Sequence, residues 1–293
     1  MITAPMQRGM ATRVALCIAL IAAAMPAAPA RVLAASQATV ATPWVSLHGA
    51  RVRLVAGPAT GGAQKAYLAG VEVELAEGWK TYWRMPGDAG VPPNFDWSNS
   101  ANTAAIKVLY PAPVRMSEAA AETIGYKGSV MFPVEVKPLD PAKLVTLDLQ
   151  MELGICREIC IPGEVNLSLA IPPTGLAGAS PISTWRARVP RPQALRGPGD
   201  PDLKNVALVL DGPSPRLLVE AVFPKGATIG DLFIEGPDGV YVPMTKRLPD
   251  GPNGIVRFEV DLSRIDANDL KGKQLVLTLV GDNGTATEAT WQL

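Results

Sequence analysis

Hydrophobic and polar residues alternate along much of the chain, and the pattern is clearest between residues 145 and 173. In VTLDLQMEL (145–153) every second residue is apolar, and EVNLSLAIPP (164–173) repeats the pattern. A period of two places successive side chains on opposite faces of a β-strand. Both runs therefore predict strands with one buried face. The residues expected on the buried faces are Val145, Leu147, Leu149, Met151, Leu153, Val165, Leu167, Leu169 and Ile171.

Similar runs occur on both sides of this pair. Before it they are LHGARVRLVA (47–56), AYLAGVEVELAEG (66–78), IKVLYPAP (106–113) and VMFPVEVKP (130–138). After it they are NVALVLDG, RLLVEAVFP, DLFIEGPDG, GIVRFEVDLS, QLVLTLVG and ATEATWQL, separated by turn sequences such as PDGPNG. Many short strands joined by Gly- and Pro-rich turns are typical of antiparallel β-sandwiches.

These runs predict an all-β protein with two β-sandwich domains, at residues 40–172 and 183–293. The stretch PPTGLAGASP interrupts the pattern and predicts a linker at 173–182. Short helical segments are predicted at SEAAAETI (117–124) and ISTWRAR (182–188). A length of 293 residues agrees with two domains.

The charge balance narrows the classes of partner. Lys and Arg together number 27, Asp and Glu also number 27, and no basic run occurs. Nucleic acids and anionic membrane surfaces attract proteins with a basic patch or stripe. Neither is therefore expected as the main partner.

The first 35 residues predict a secretory signal peptide. Arg8 and Arg13 precede the apolar run VALCIALIAAAM, and the small-residue stretch PAAPARVLAASQA follows it. The apolar run is too short to span a bilayer, and no later segment reaches the roughly 18 to 20 apolar residues that spanning requires. We expect an exported protein without stable membrane insertion. The pattern leaves several cleavage positions open, at Ala30, Ala34, Ala35 or Ala38.

Removal of the signal peptide would also remove Cys17 and leave Cys156 and Cys160 as the only cysteines. In an extended strand, residues four apart lie about 13 Å from each other. A disulfide requires Cα atoms within about 7 Å. The flanking strands therefore predict a hairpin that turns at Arg157–Ile159 and carries both cysteines at its exposed end.

Three functions for such a pair remain open at this point. The first is thiol–disulfide exchange, in which Arg157 would favour a thiolate, whereas Glu152, Glu158 and Glu164 would oppose it or carry a proton. The second is a local staple, although closing so short a loop stabilises a fold by only about 2 kcal/mol. The third is a metal site, which would need further ligands from His48, Met85 or Met116. No metal or other cofactor is predicted.

Several motifs in the same order resemble one family. They are GWKTYWRMPGDAGVPPNFDW (78–97), PAPVRM (111–116), ETIGYKGSVMFPVEV (122–136) and LGICREICIP (153–162). Together they resemble the periplasmic N-terminal domain of the DsbD/ScsB protein-disulfide reductases, and the C-x3-C spacing is closer to the ScsB-like branch. The resemblance covers about residues 43–172.

The resemblance implies an immunoglobulin-like sandwich with a redox-active cysteine pair. It also implies a periplasmic location, and it implies electron transfer through mixed disulfides from a membrane-embedded disulfide reductase to thioredoxin-fold periplasmic proteins. In this family Cys160 would be favoured to form the mixed disulfide. A cap over the sulfurs would correspond to residues 115–128, with Glu118, Glu122 and Tyr126 as candidates.

Alternatives to these roles also stay open. Glu118 and Glu122 could form the solvent face of a short helix, and Tyr126 could be a packed strand end. The aromatic residues of 78–97 are expected in the core rather than on a docking surface. Since the membrane helices and thioredoxin-like domain of the full reductases are missing, we expect electrons to come from another protein. The rival function is a non-catalytic β-sandwich binding protein with a structural disulfide. A role in copper tolerance is a further alternative, and it rests on the resemblance alone.

Overall fold

A computed structural model of the chain describes residues 1–2, 41–60, 66–117, 121–173, 181–211, 214–224, 230–237, 240–281 and 284–293. Residues 3–35 of the predicted signal peptide and most of the predicted linker lie outside these residues. Residues Ser36–Leu293 form one compact unit. Among the residues described, no helix combines the length and hydrophobicity needed to cross a bilayer.

The N-terminal part contains two sheets that pack face to face. Their strands are β1 (Val45–Leu47), β2 (Ala50–Thr60), β3 (Ala66–Leu75), β4 (Lys80–Gly87), β5 (Asn94–Asp96), β6 (Thr103–Val108), β7 (Val114–Ser117), β8 (Glu122–Lys127), β9 (Ser129–Pro138), β10 (Val145–Cys156) and β11 (Cys160–Ile171). One sheet has the order β1-β2-β3-β9-β6, and the other has the order β11-β10-β4-β8-β7 with β5 beside β10. All pairings between these strands are antiparallel.

The alternating residues of β10 and β11 lie where the sequence predicts them. Val145, Leu147, Leu149, Met151 and Leu153 are each at most 1% exposed. They pack with apolar residues of β2, β3 and β9 from the opposite sheet in one core. The two layers fit an immunoglobulin-like sandwich, and the all-β prediction is confirmed.

The C-terminal part contains two further four-stranded sheets. Their strands are β12 (Arg191–Pro192), β13 (Asp202–Val209), β14 (Arg216–Val222), β15 (Gly230–Glu235), β16 (Lys246–Arg247), β17 (Ile255–Asp261), β18 (Gln274–Gly281) and β19 (Ala286–Gln292). The orders are β12-β19-β18-β15 and β13-β14-β17-β16, and both sheets contribute to a second core. Short 3₁₀ helices occur at Gln193–Leu195, Pro252–Gly254 and Ala267–Leu270.

One of the two predicted helices is present. The other, at 117–124, is wrong for the residues described there, and residues 118–120 lie outside the described ranges. Helix α1 (Pro181–Arg186) matches the prediction at 182–188 and buries Ile182. At 117–124, however, β7 ends at Ser117 and β8 begins at Glu122. Since β8 pairs with β7 on one side and β4 on the other, its backbone hydrogen bonds to two strands prevail over the helix propensity of Ala and Glu.

The strand β4 contacts the C-terminal sheets directly. The ring of Trp83 lies 5.9 Å from that of Phe233 in β15. The Arg84 guanidinium donates to Glu235 at 2.6 and 2.9 Å and also to Glu288. Burial would lower the pKa of Arg84, but the hydrogen bonds and charges of Glu235 and Glu288 outweigh it and raise that pKa above its ordinary value.

A second arginine strengthens the same junction. Arg115 of β7 donates to Asp231 at 2.7 and 3.0 Å, to Thr245 at 2.8 Å, and to Glu122 of its own sheet at 2.8 Å. Burial opposes the charged form, but hydrogen bonding to Asp231 and the nearby carboxylates raise the pKa of Arg115. The sheet that carries the cysteines is thus fixed to the C-terminal sheets through two arginines.

Candidate functional site

The two cysteines end the hairpin formed by β10 and β11. Cys156 and Cys160 are direct cross-strand partners, their Cα atoms lie 4.1 Å apart, and they form a disulfide. The loop contains Arg157, Glu158 and Ile159, and the Arg157 N–H donates to the Ile159 carbonyl at 3.2 Å. The predicted turn at Arg157–Ile159 is confirmed.

The two sulfurs are in different environments. Cys156 is 1% exposed, whereas Cys160 is exposed at the start of β11. Ile159, next to Cys160, is 71% exposed. A second protein can therefore approach the disulfide from the side of Cys160, and Cys156 lies behind it in the sheet.

Tyr82 of β4 contacts the exposed cysteine. Its side chain is 2% exposed, and its hydroxyl lies 3.2 Å from the Cys160 sulfur. A disulfide sulfur has no hydrogen, so the hydroxyl is the donor in the oxidised protein. The same hydroxyl can donate to a Cys160 thiolate, which is a stronger acceptor.

Two glycines leave room for the Tyr82 ring. Gly90 has a φ of +126°, and a Cβ atom there would lie 2.4 Å from the ring. A Cβ atom on Gly154 would lie 3.2 Å from the ring and 3.0 Å from Val91. The loop after β4 therefore covers Tyr82 and Gly154, two residues before Cys156 on β10.

Lys80 is the cross-strand partner of Cys156 on the other side of β10. This pair is the only register contact between β4 and β10. Lys80 is 4% exposed, and its ammonium lies 5.8 Å from the centroid of the Tyr82 ring. Directly opposed residues of an antiparallel pair project from the same face, so Lys80 and Cys156 are neighbours on the outer face of the sheet.

The charged loop residues that the sequence proposed for tuning the thiols are solvent-exposed. The Arg157 guanidinium lies 5.7 Å from the ring of Trp79, and Glu158 is exposed. His48 stands edge-on to the same Trp79 ring at 5.2 Å. The structure thus places Arg157 on an aromatic residue beside the hairpin.

Two of the three predicted cap residues are described, and both have partners away from the sulfurs. Glu118 lies outside the described residues. Glu122 accepts from Arg115 and belongs to the junction with the C-terminal sheets. Tyr126 packs on Phe132 in the core and donates to the Pro111 carbonyl at 2.8 Å. Its position corresponds to the packed strand end that the sequence left open.

Burial has a large effect on Tyr126. The hydroxyl is enclosed in the core, and this burial raises the pKa of Tyr126 well above its ordinary value, while the charge of Arg84 opposes the rise only in part. A proton at this position stays bound to the hydroxyl in the physiological range. The surroundings of Tyr126 are therefore those of a residue that stabilises the fold.

The candidate metal ligands are dispersed. Met116 is 3% exposed, and Met85 packs against the core. Within the described ranges, no three His, Cys, Asp or Glu side chains are grouped as a metal site would require.

The sequence reasoning identified the cysteines but missed Lys80 and Tyr82 as neighbours of the sulfurs. Both residues occur in WKTYWR, two positions apart, as expected for one face of a strand. That spacing was the available signal. It could not show that this strand pairs with β10 at Cys156.

Comparisons with known proteins agree with this geometry. Residues 54–172 match the family described as thiol:disulfide interchange protein DsbD, N-terminal. No curated protein sequence matches the chain significantly. Residues 54–172 are thus similar to the N-terminal domain of DsbD.

A solved structure shares the fold over a longer range. The crystal structure of the N-terminal periplasmic domain of ScsB from Proteus mirabilis has a TM-score of 0.67 and 22% sequence identity. The match covers 87% of this chain and 99% of that one. The similarity in fold thus extends beyond the sandwich that carries the cysteines.

Proposed function

We propose that this chain is a periplasmic thiol–disulfide exchange module. It relays reducing equivalents from a membrane-embedded or thioredoxin-like reductase to thioredoxin-fold partner proteins by cycling Cys156 and Cys160 between dithiol and disulfide. One observation carries the proposal: a disulfide closes a very short loop at a hairpin end, with one sulfur exposed and the other buried. A ring of this size adds only about 2 kcal/mol of stability, so its position suits exchange better than stabilisation.

The difference in exposure assigns the two cysteines different roles. A thiolate of the reducing protein attacks the exposed Cys160 sulfur, the Cys156–Cys160 bond breaks, and the bonding electron pair goes to Cys156 as a thiolate. The reductant's second thiolate then attacks its own sulfur in the mixed disulfide and releases reduced Cys160. In the forward transfer, the Cys160 thiolate attacks the partner's disulfide and Cys156 resolves the mixed disulfide. Both partner cysteines end reduced and this chain ends oxidised.

The same proposal includes the organisation of the chain. Residues 1–35 act as a signal peptide, 40–172 as the redox domain, 173–182 as a linker and 183–293 as a second β-sandwich domain. The strand pairings support this division, because within the described ranges strands β1–β11 pair with one another and strands β12–β19 pair among themselves. The ScsB domain of similar fold is periplasmic, which supports export of this chain.

Trapping of mixed disulfides tests the proposal. Cys156→Ala leaves an exposed thiol with no resolving partner and should accumulate a covalent complex with a thioredoxin-fold protein. Cys160→Ala is the matched control and should trap far less, because its remaining sulfur is buried. Equal trapping by both variants would contradict the assignment of roles.

Measurement of the redox potential separates exchange from a structural disulfide. We expect a potential in the range of periplasmic exchange proteins, whereas a structural disulfide has one below about −300 mV. A value below that limit, together with no trapped partner, would favour the non-catalytic binding protein. Copper binding by the unsubstituted chain, unaffected by the double substitution of both cysteines, would favour a role in copper tolerance instead.

A further inference from the structure

We propose that Lys80 stabilises the thiolate that forms on Cys156 when the disulfide is opened. The inference rests on the proposed exchange function and extends it to a residue on a neighbouring strand. Lys80 would not form or break a bond. Its ammonium would supply the charge opposite to the one that develops on the leaving sulfur.

The register of the sheet places the two residues together. Cys156 lies between Cys160 on β11 and Lys80 on β4, and it is the cross-strand partner of both. Side chains of directly opposed residues have Cβ atoms about 5 Å apart and share a face. Tyr82, two residues after Lys80, reaches Cys160 from that same face, which confirms the orientation of this part of β4.

Burial of both residues strengthens the effect of the Lys80 charge on Cys156. Cys156 is 1% exposed and Lys80 is 4% exposed. A buried thiol without a nearby cation would resist ionisation, since burial disfavours the charged form. A cation next to it reverses this effect, because charges interact strongly where water is excluded.

Among the described residues, the charged groups nearest to this pair in the sheet are Lys127, Glu152, Glu164 and Arg157, and each is exposed. Lys127 of β8 is the cross-strand partner of Lys80 on the side away from Cys156, and it is exposed. Glu152 and Glu164 pair with each other four residues along the hairpin, which is about 13 Å from the cysteines. The exposed Arg157 lies on Trp79.

A protein dithiol is the reductant that supplies the electrons when the Cys156–Cys160 disulfide is opened. Its thiolate sulfur bonds to the Cys160 sulfur, the Cys156–Cys160 bond breaks, and Cys156 receives the electron pair. A leaving thiol of lower pKa departs faster. Lys80 would therefore accelerate the step in which this chain accepts reducing equivalents.

Direct titration of Cys156 tests the inference. In Cys160→Ala, the thiolate absorbance near 240 nm is followed against pH, and the same protein with Cys156→Ala is subtracted so that tyrosines and Cys17 cancel. We expect a Cys156 pKa below about 8.5, the value of a free cysteine, despite its burial. A value above 8.5 would overturn the inference whether or not Lys80 variants fold.

Substitutions then assign the effect to Lys80. Lys80→Met should raise the Cys156 pKa by about one unit, a tenfold loss of thiolate below it, and should slow reduction of the disulfide by dithiothreitol. Lys80→Arg should keep the low value. Lys127→Met removes the same charge one strand farther away and is the control.

A failure of the role proposed for Lys80 can be distinguished from a failure of the proposed exchange function. A folded Lys80→Met protein with an unchanged Cys156 titration, or an equal shift in Lys127→Met, overturns the role of Lys80 and leaves exchange intact. Absence of any trapped partner overturns the exchange function and does not alter the titration.

Discussion

At the scale of residues, the two bonded cysteines have different neighbours and different exposure. Cys160 is exposed and has the Tyr82 hydroxyl 3.2 Å from its sulfur. Cys156 is buried beside Lys80. A hydrogen-bond donor and a cation both favour a thiolate, but each acts on a different sulfur. The chemistry of each cysteine can therefore be tested separately.

The first prediction concerns the hydroxyl of Tyr82. Tyr82→Phe keeps the ring and removes the donor, so the Cys160 thiolate loses a charge-assisted hydrogen bond. In a Cys156→Ala background we expect the Cys160 pKa to rise by about one unit. The absorbance titration at 240 nm measures this rise.

A control for this substitution is Tyr67→Phe. The Tyr67 hydroxyl donates to the Pro173 carbonyl, and the residue belongs to the opposite sheet. The Tyr67→Phe substitution should leave the Cys160 titration unchanged. A titration that is equally unchanged in Tyr82→Phe would show that the contact has no effect on the thiolate.

The second prediction concerns pH and Tyr126. Its pKa is raised by burial in the folded protein, so above about pH 10 the unfolded chain loses this proton while the folded chain retains it. The contribution is complete below about pH 10 and is lost as the pH rises further. We expect stability to fall on that side, as measured by urea unfolding at several pH values.

Tyr126→Phe tests the assignment of this decline. The variant should lose about 1 to 2 kcal/mol at neutral pH, since the Pro111 carbonyl loses its donor. The further decrease in its free energy of unfolding above about pH 10 should be smaller than in the unsubstituted chain. An identical alkaline decline in both proteins would assign the effect to other groups.

The sequence was informative about single residues only where the covalent chain already relates them. Cys156 and Cys160 could be paired because three intervening residues and two flanking strands leave one possible geometry. Lys80 and Tyr82 are more than 70 positions away in the chain, and their contact with the cysteines depends on strand order. A single sequence contains no direct signal for that order.

At the scale of elements, alternation was a reliable guide for strands with one buried face. Strands β3, β9, β10 and β11 all lie within or next to the runs that predicted them. Prediction failed at 117–124, where alanines and glutamates favour a helix locally but two neighbouring strands hold β8 extended. It also missed β4 as a strand, because Thr81, Tyr82 and Trp83 are all buried and the period of two is lost.

The third prediction concerns the hairpin of β10 and β11. Joint substitution of Cys156 and Cys160 by Ala should leave the fold intact and lower the free energy of unfolding by about 2 kcal/mol or less, because the closed loop is short. The twelve register pairs of the hairpin remain in the variant. Denaturant unfolding of the double variant and of the oxidised parent measures the difference.

A much larger loss would change the interpretation. If the double variant and the single variants Cys156→Ser and Cys160→Ser all failed to fold, the disulfide would be required for the structure. The small stabilising effect of the disulfide would then no longer support the exchange function.

At the scale of the whole molecule, the junction between the two sandwiches is polar and aromatic. Arg84 and Arg115 of the first sandwich pair with Glu235, Glu288 and Asp231 of the second, and Trp83 packs on Phe233. Half-buried ion pairs of this kind depend strongly on both partners being present. Two successive groups of strands could be expected from the sequence pattern, whereas this junction could not.

The fourth prediction concerns Arg84. Arg84→Met would leave Glu235 and Glu288 partly buried without their cation, and we expect a loss of about 2 kcal/mol in the free energy of unfolding. Arg51→Met is the matched control, since Arg51 pairs with Glu74 in an exposed position and should cost less than about 1 kcal/mol. Denaturant unfolding of both variants gives the comparison, and equal losses would contradict a special role for the junction.

Strand β4 has a consequence for how variation in this protein should be interpreted. Tyr82 contacts the sulfur of Cys160, and the next two residues, Trp83 and Arg84, are held by the C-terminal sheets. A substitution on the far side of that boundary, for example at Glu235, removes a partner of Arg84, and we expect it to move the nearby tyrosine and to change how readily the cysteine ionises. Natural variants that differ only in their second half can thus differ in reducing power while their cysteine loops remain identical.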